Sequence, residues 1–249
     1  MNEVTIKQQF VKRLADRFFK TAKGWRFFMG KLFLSGGGDA DQTQALDRRF
    51  AEEIDQNKPL LYIPIAMDAS RFDSCFEWIN KMLKPLGIEN ITMWTNVRNK
   101  SIQDLDAFSA VYIGGGNTFH LLKSLMDCHI IDILKSYAEK DGIIYGGSAG
   151  AIILGKNIMT CSHMDCNNAG LNHFSGLKLT EEYSIWCHYK QEHDTLIKRF
   201  MTTFQTPVIA LPEETGIAVN GQEMQVIGVR PAYVFSDVNK SVVHENHFI

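Results

Sequence analysis

Residues 142–155, Gly142-Ile143-Ile144-Tyr145-Gly146-Gly147-Ser148-Ala149-Gly150-Ala151-Ile152-Ile153-Leu154-Gly155, constrain the fold more than any other stretch of the chain. An apolar, β-branched run enters a glycine pair, presents one serine and leaves through small residues into a second apolar run of helical character. This predicts a strand, a sharp turn and a helix. A serine at such a bend projects its hydroxyl past the carboxyl end of the strand, where the N-terminal amides of the next helix favour developing negative charge. Taken alone, the G-x-S-x-G spacing equally suits a connection in which small residues only permit close packing, so context decides.

That context is an alternation of strands and helices. Lys31–Ser35 predicts a strand running into Gly36-Gly37-Gly38-Asp39, helical spacing follows over residues 41–56, and residues 59–65 read as a buried strand. Residues 71–85 place Phe72, Phe76, Ile79 and Leu83 on one helical face, and residues 88–94 read as the next strand. Ala110–Ile113 predicts a fourth strand that ends in Gly114-Gly115-Gly116-Asn117-Thr118, with Asn117 or Thr118 capping a helix that carries Phe119, Leu121 and Leu122. Further helices are expected over 129–140 and 192–204, and β segments over 207–219, 225–228 and 233–235, the last strands forming an edge hairpin. The class is therefore α/β, a mostly parallel sheet with helices on both faces and a small C-terminal β edge. At 249 residues the chain is long enough for one such domain, expected over residues 31–249.

The two glycine runs do not suit nucleotides. The first lacks the third glycine of a dinucleotide fingerprint and reads as a tight turn, and the second lacks the lysine of a phosphate loop and reads as amides aimed at a small oxyanion. A net charge of −2 gives no reason to expect nucleic acid. No apolar run approaches a membrane span and no secretory signal opens the chain, so a cytoplasmic protein is expected. The five scattered cysteines, Cys75, Cys128, Cys161, Cys166 and Cys187, fit free thiols in a reducing compartment. Residues 1–30 form a basic amphipathic extension, with Phe10, Leu14 and Phe18 four apart, expected to pack as an accessory helix or to fray.

Between residues 156 and 182, Cys161-Ser162-His163-Met164-Asp165-Cys166 groups metal-ligating side chains. Its spacing is not that of a zinc site and no second pair follows, so no metal is expected, and Asp165 is instead a carboxylate able to orient a base. His188 lies just before the predicted helix at 192, a loop-edge location suited to a working histidine.

With both glycine turns, His188 and Leu211-Pro212-Glu213 in place, residues 31–230 resemble the peptidase E, or aspartyl dipeptidase, family of serine peptidases, which includes cyanophycinases. Gly114-Gly115-Gly116-Asn117-Thr118-Phe119 and Gly147-Ser148-Ala149-Gly150-Ala151, in this order and at this distance, carry most of the likeness. The resemblance implies a three-layer sandwich like that of class I glutamine amidotransferases, with Ser148 as nucleophile and His188 as general base. It implies an oxyanion hole from the amides of Gly116 and Ala149, and an acid that is either Asp165, after a small insertion that His163 would otherwise fill, or Glu213. Asp165 is preferred. No cofactor is implied, the partner is a short peptide, and a homodimer is compatible with the reading. Two departures bear on the substrate. Gly147 replaces a larger residue, and Glu192-His193-Asp194-Thr195 lacks the arginine that would grip an N-terminal aspartate, with His193, Lys198 and Arg199 as unassured substitutes. Two alternatives remain: an α/β-hydrolase-like esterase, which would place its histidine nearer the C-terminus, and a catalytically silent anion-binding module of the same fold.

Overall fold

The structure, a computed structural model, describes residues 30–249 apart from Val238, so the expected basic N-terminal extension lies outside the described residues except for Gly30. Eleven strands are described: β1 Lys31–Ser35, β2 Leu60–Ile63, β3 Ile91–Met93, β4 Ala110–Ile113, β5 Ile143–Gly147, β6 Ser184–Trp186, β7 Val208–Ala210, β8 Thr215–Asn220, β9 Glu223–Gly228, β10 Ala232–Ser236 and β11 Asn239–Val243. The helices are α1 Ala40–Glu53, α2 Phe72–Leu83, α3 Ile102–Leu105, α4 Thr118–Asp127, α5 Ile131–Glu139, α6 Ala149–Leu154 and α7 Asp194–Phe204.

Seven strands form the main sheet in the order β3-β2-β4-β5-β1-β8-β9. β1 to β5 are parallel, and β8 and β9 close one edge as an antiparallel hairpin. The expected hairpin of residues 225–228 with 233–235 does not form: β9 pairs with β8 in this sheet, and β10 pairs with β7 and β11 in the other. Side chains alternate across each strand. Leu32, Leu34, Leu61, Ile63, Val111, Ile113 and Ile144 face one core with Leu121 and Leu122 of α4, Leu134 of α5 and Ile153 of α6. Phe33, Leu60, Tyr62, Tyr112 and Tyr145 face the opposite core with Phe50 of α1 and Ile79 and Leu83 of α2. Helices thus cover both faces, and the two glycine turns and the turn at Ser148 emerge where the carboxyl ends of β1, β4 and β5 meet. No described helix is long and apolar enough to cross a membrane.

The second sheet, β11-β10-β7-β6, departs from the expected arrangement. Residues 207–219, with the strand end marked in sequence at Leu211-Pro212-Glu213, are two strands in two sheets, separated by Leu211-Pro212-Glu213-Glu214. Pro212 has no N–H to give a ladder, so the run breaks where the chain passes from one sheet to the other. β6 and β7 are parallel, pairing Trp186 with Ala210, and α7 packs on them through Ile197 and Phe200. α3, the short helix absent from the sequence reading, is held by a capping box between Ser101 and Asp104.

One buried polar cluster anchors α1 to the sheet. The Tyr145 hydroxyl donates to Asp47 Oδ1 at 2.6 Å, and Thr43 Oγ1 lies 2.7 Å from Asp47 Oδ2 and 3.0 Å from the Asp39 carbonyl. Thr43 has one hydroxyl hydrogen for two acceptors, so a proton on Asp47 lets every group in the chain pair. Burial, opposed by the hydrogen bonds from Thr43 and Tyr145, pushes the Asp47 carboxyl up from 3.8 to about 6. Because the folded value is raised, the stability contributed by this group is full below the unfolded value and is lost as pH rises through about 6. Asp47→Asn removes the titration. Between pH ~4 and ~8, urea denaturation should show wild-type stability falling by about 2 kcal/mol relative to the variant, and parallel pH profiles would refute this.

Candidate active site

Ser148 follows the last residue of β5 and begins the turn into α6 at φ 49° and ψ −105°, a backbone region that a side chain occupies only under constraint. The constraint is local. The Ser148 N–H donates to the Ser35 carbonyl of β1 at 3.3 Å, and its own carbonyl accepts from Ile152 N–H at 3.0 Å, closing the first turn of the helix. A Cβ at Gly150 would lie 2.2 Å from the Ile113 carbonyl oxygen, so only glycine lets this turn approach β4.

His188 comes two residues after β6, at φ 52°. Its N–H donates to the Gly36 carbonyl at 2.8 Å, and its ring lies so close over Gly37 that a Cβ there would stand 2.1 Å from Cε1. The first glycine run, read from sequence as a tight turn, is therefore also the seat of the histidine. His188 Nε2 lies 2.8 Å from Ser148 Oγ, and Nδ1 lies 2.8 Å from Glu213 Oε1. Glu213 Oε2 accepts from Gln42 Nε2 at 3.2 Å. The hydrogen bond from His188, with that from Gln42, outweighs desolvation and lowers the Glu213 pKa. An ionised Glu213 accepts Nδ1–H, which assigns the lone pair to Nε2, facing the serine hydroxyl.

Asp165, the acid preferred from sequence, is elsewhere. Its Oδ2 accepts from the Thr118 N–H at 2.8 Å, at the N-terminus of α4, and Glu213 occupies the imidazole. The structure thus brings Glu213, and not the expected Asp165, to His188: a helix N-terminus offers a carboxylate an unpaired donor and a favourable dipole, and Asp165 lies there. It is joined there by Asn117, whose Oδ1 accepts from His120 N–H at 2.9 Å while its Nδ2 donates to the Cys166 carbonyl at 2.9 Å.

Those contacts hold the second glycine turn against the serine. Gly114 N–H donates to the Ile63 carbonyl at 3.0 Å and Asn117 N–H to the Ala66 carbonyl at 2.9 Å, fixing both ends of the turn. A Cβ at Gly115 would lie 3.4 Å from Ser148 Cβ. The Gly116 amide makes no backbone hydrogen bond among the described residues, and Ala149, first in α6, has no intrahelical acceptor.

His163 and His193 form a ring cluster with Trp186. His163 stacks on Trp186 at 4.3 Å between centroids and donates Nδ1–H to the Thr160 carbonyl at 3.0 Å. The Trp186 indole N–H donates to His193 Nδ1 at 3.2 Å. Burial lowers the pKa of both imidazoles, favouring the neutral forms. Cys161 is buried and Cys166 exposed, and among the described residues no group of three or more His, Cys, Asp or Glu is placed to hold a metal ion. Sequence reasoning missed Gln42. The capping-box pattern Asp39-x-x-Gln42 marks it as a helix-start residue, but nothing local points to a partner 171 positions away.

Comparison with known proteins gives the family and the fold. The sequence model of peptidase family S51 matches residues 32–227. The chain is 27% identical over 190 residues to Peptidase E of Pasteurella multocida, covering 73% of this chain and 80% of that protein. It is also 27% identical over 190 residues to a Drosophila melanogaster protein whose name places it with the alpha-aspartyl dipeptidases, covering 72% of this chain and 76% of the other. The crystal structure of a peptidase from an acI-B1 Actinobacterium shares the fold, with TM-score 0.70 and 15% identity over 91% of this chain and 99% of that one. The chain belongs to peptidase family S51 and is a serine-type peptidase.

Proposed function

We propose that this peptidase is a cytoplasmic exopeptidase acting on short peptides, a dipeptidase, through an acyl-enzyme on Ser148. The observation that carries the reading is the unbroken chain from Ser148 Oγ through His188 to Glu213, with 2.8 Å at each step. His188 Nε2 takes the hydroxyl proton as Oγ attacks the scissile carbonyl, and Glu213 holds Nδ1–H and balances the imidazolium charge. The amides of Gly116 and Ala149 receive the oxyanion. Collapse breaks the C–N bond, and the proton on Nε2 leaves with the amine. Water then attacks the ester, with the same nitrogen as base, and frees Ser148. Asp165 serves indirectly by anchoring the turn that carries Gly116. The five free thiols support a reducing compartment.

The dipeptidase assignment is supported by the names of the relatives. Aspartate selectivity is less favoured by the site itself: the start of α7 carries His193, held neutral by burial, with Nδ1 already taken by Trp186 and by the Lys190 N–H at 3.3 Å. A neutral imidazole does not grip a carboxylate as an arginine would. We therefore read the substrates as a range of dipeptides that includes Asp-X.

Amino-acid release from free and N-acetylated X-Leu dipeptides should be seen with several free members of the panel and abolished by Ser148→Ala. Cleavage of Asp-Leu alone would restore strict aspartyl specificity, and silence across the panel would favour an anion-binding module. A second measurement separates the two carboxylates. Glu213→Gln should lower kcat by about 10⁴-fold, because an amide facing Nδ1 favours the wrong tautomer. Asp165→Asn should cost far less, and equal losses would return Asp165 to the acid role.

A further inference from the structure

We infer that Gln42 is a positioning residue of the hydrolytic site, holding the Glu213 carboxylate in the orientation that partners His188. The inference rests on the reading of Glu213 as the acid of that site. Glu213 follows Pro212 on the connection between the two sheets, and its side chain is 41% exposed, so water competes for it and its torsions are otherwise free to turn. A single bond from Oε1 to His188 leaves the carboxylate able to pivot about that contact. The second bond, Gln42 Nε2 to Oε2 at 3.2 Å, removes the pivot.

Gln42 can do this because its own amide is fixed. Its Oε1 accepts from the Asp39 N–H at 2.9 Å, so its NH₂ must face the carboxylate. The flipped amide would set oxygen against carboxylate and NH₂ against N–H. Asp39 in turn accepts from Asp41 N–H and Gln42 N–H, each at 3.1 Å, which completes the capping box of α1. Gly38 marks the convergence: a Cβ there would lie 2.8 Å from Gln42 Oε1 and 3.1 Å from Glu213 Cβ. One turn and one helix start thus hold the histidine by backbone, through Gly36 and Gly37, and the acid by side chain, through Gln42. A neutral donor suits the task. It orients Glu213 without neutralising the charge that the imidazolium needs, whereas a lysine at this position would compete for it. The other ionisable groups acting on Glu213 are His188 and Lys190.

The test uses the full chain and a fluorophosphonate probe, whose reaction with Ser148 reads the machinery without knowledge of the peptide. Gln42→Glu retains a capping-box side chain but replaces the donor with a second carboxylate beside Glu213. Asp39→Ala removes the cap while leaving the Gln42 amide in reach of Glu213. Gln42→Glu should keep its Tm, react about ten- to a hundredfold more slowly near neutral pH, and shift the acid limb of its pH–rate profile upward. Asp39→Ala should lose Tm and keep the rate and profile. Wild-type behaviour of Gln42→Glu would overturn the inference alone, as would equal slowing in Asp39→Ala, which would make the effect one of helix stability. A wild-type chain that fails to label, or labels as fast as Ser148→Ala, would instead overturn the reading of the site and this inference with it.

Discussion

The site depends on the parallel pairing of β1 with β5, in which Ser35 lies opposite Gly147. Both strands end at the same level, so the turn after β1 and the turn after β5 leave the sheet side by side. The Ser148 N–H closes onto the Ser35 carbonyl, and the next residues of β1's exit, Gly36 and Gly37, become the seat of His188. A slip of one residue would reverse every side chain of β1 between the two cores and carry the histidine's seat away from the serine. The burial of Leu32 and Leu34 on one face and Phe33 on the other is what forbids that slip.

A second register brings in Glu213. β6 and β7 pair Trp186 with Ala210, so continuing two residues past each end places His188 abreast of Pro212, and Glu213 is the next residue. The hydrogen-bonded chain Ser148–His188–Glu213 is therefore assembled from two sheets, Ser148 from the main sheet and His188 and Glu213 from the smaller one. His188 bridges them through its backbone bond to Gly36. This explains the different fates of two carboxylates of the same chemistry. Glu213 is delivered to the imidazole by strand pairing, whereas Asp165 arrives on an irregular segment that meets the N-terminus of α4 and is satisfied there.

Much of this was legible in the sequence wherever the signal was local. The buried strands announced themselves as continuous apolar runs, the turn at Ser148 by its small residues, and the α4 cap by Asn117 after three glycines. Ser148 and His188 were legible as a pair through the family resemblance. What was not legible depended on pairing between distant segments. Asp165 and Glu213 are equivalent as carboxylates, and only the β6–β7 register separates them. That register was hidden because a strand end at Leu211-Pro212-Glu213 does not say that the strands on either side of it belong to different sheets. The Gly36–Gly38 run carried the signal of a tight turn, and the reason glycine is needed at its centre is an imidazole 151 positions away.

Both Ser148 and His188 sit at positive φ, a conformation that costs a side chain roughly 1–3 kcal/mol at each position. Neither is at a loop tip where such a backbone could relax. Ser148 is tied at N–H and carbonyl to β1 and α6, and His188 is tied at N–H to the turn after β1. The surrounding core therefore sustains two strained residues in order to direct Oγ and Nε2 at one another. Glycine at either position would relieve the backbone cost and remove the functional group with it. The opposite course, loosening the supports, relaxes the strain while leaving both side chains in place. Substitutions that weaken the contacts of β1 with β5 should accordingly affect the relative placement of Ser148 and His188 before they affect the sheet as a whole, because the strained residues have the most to gain from release.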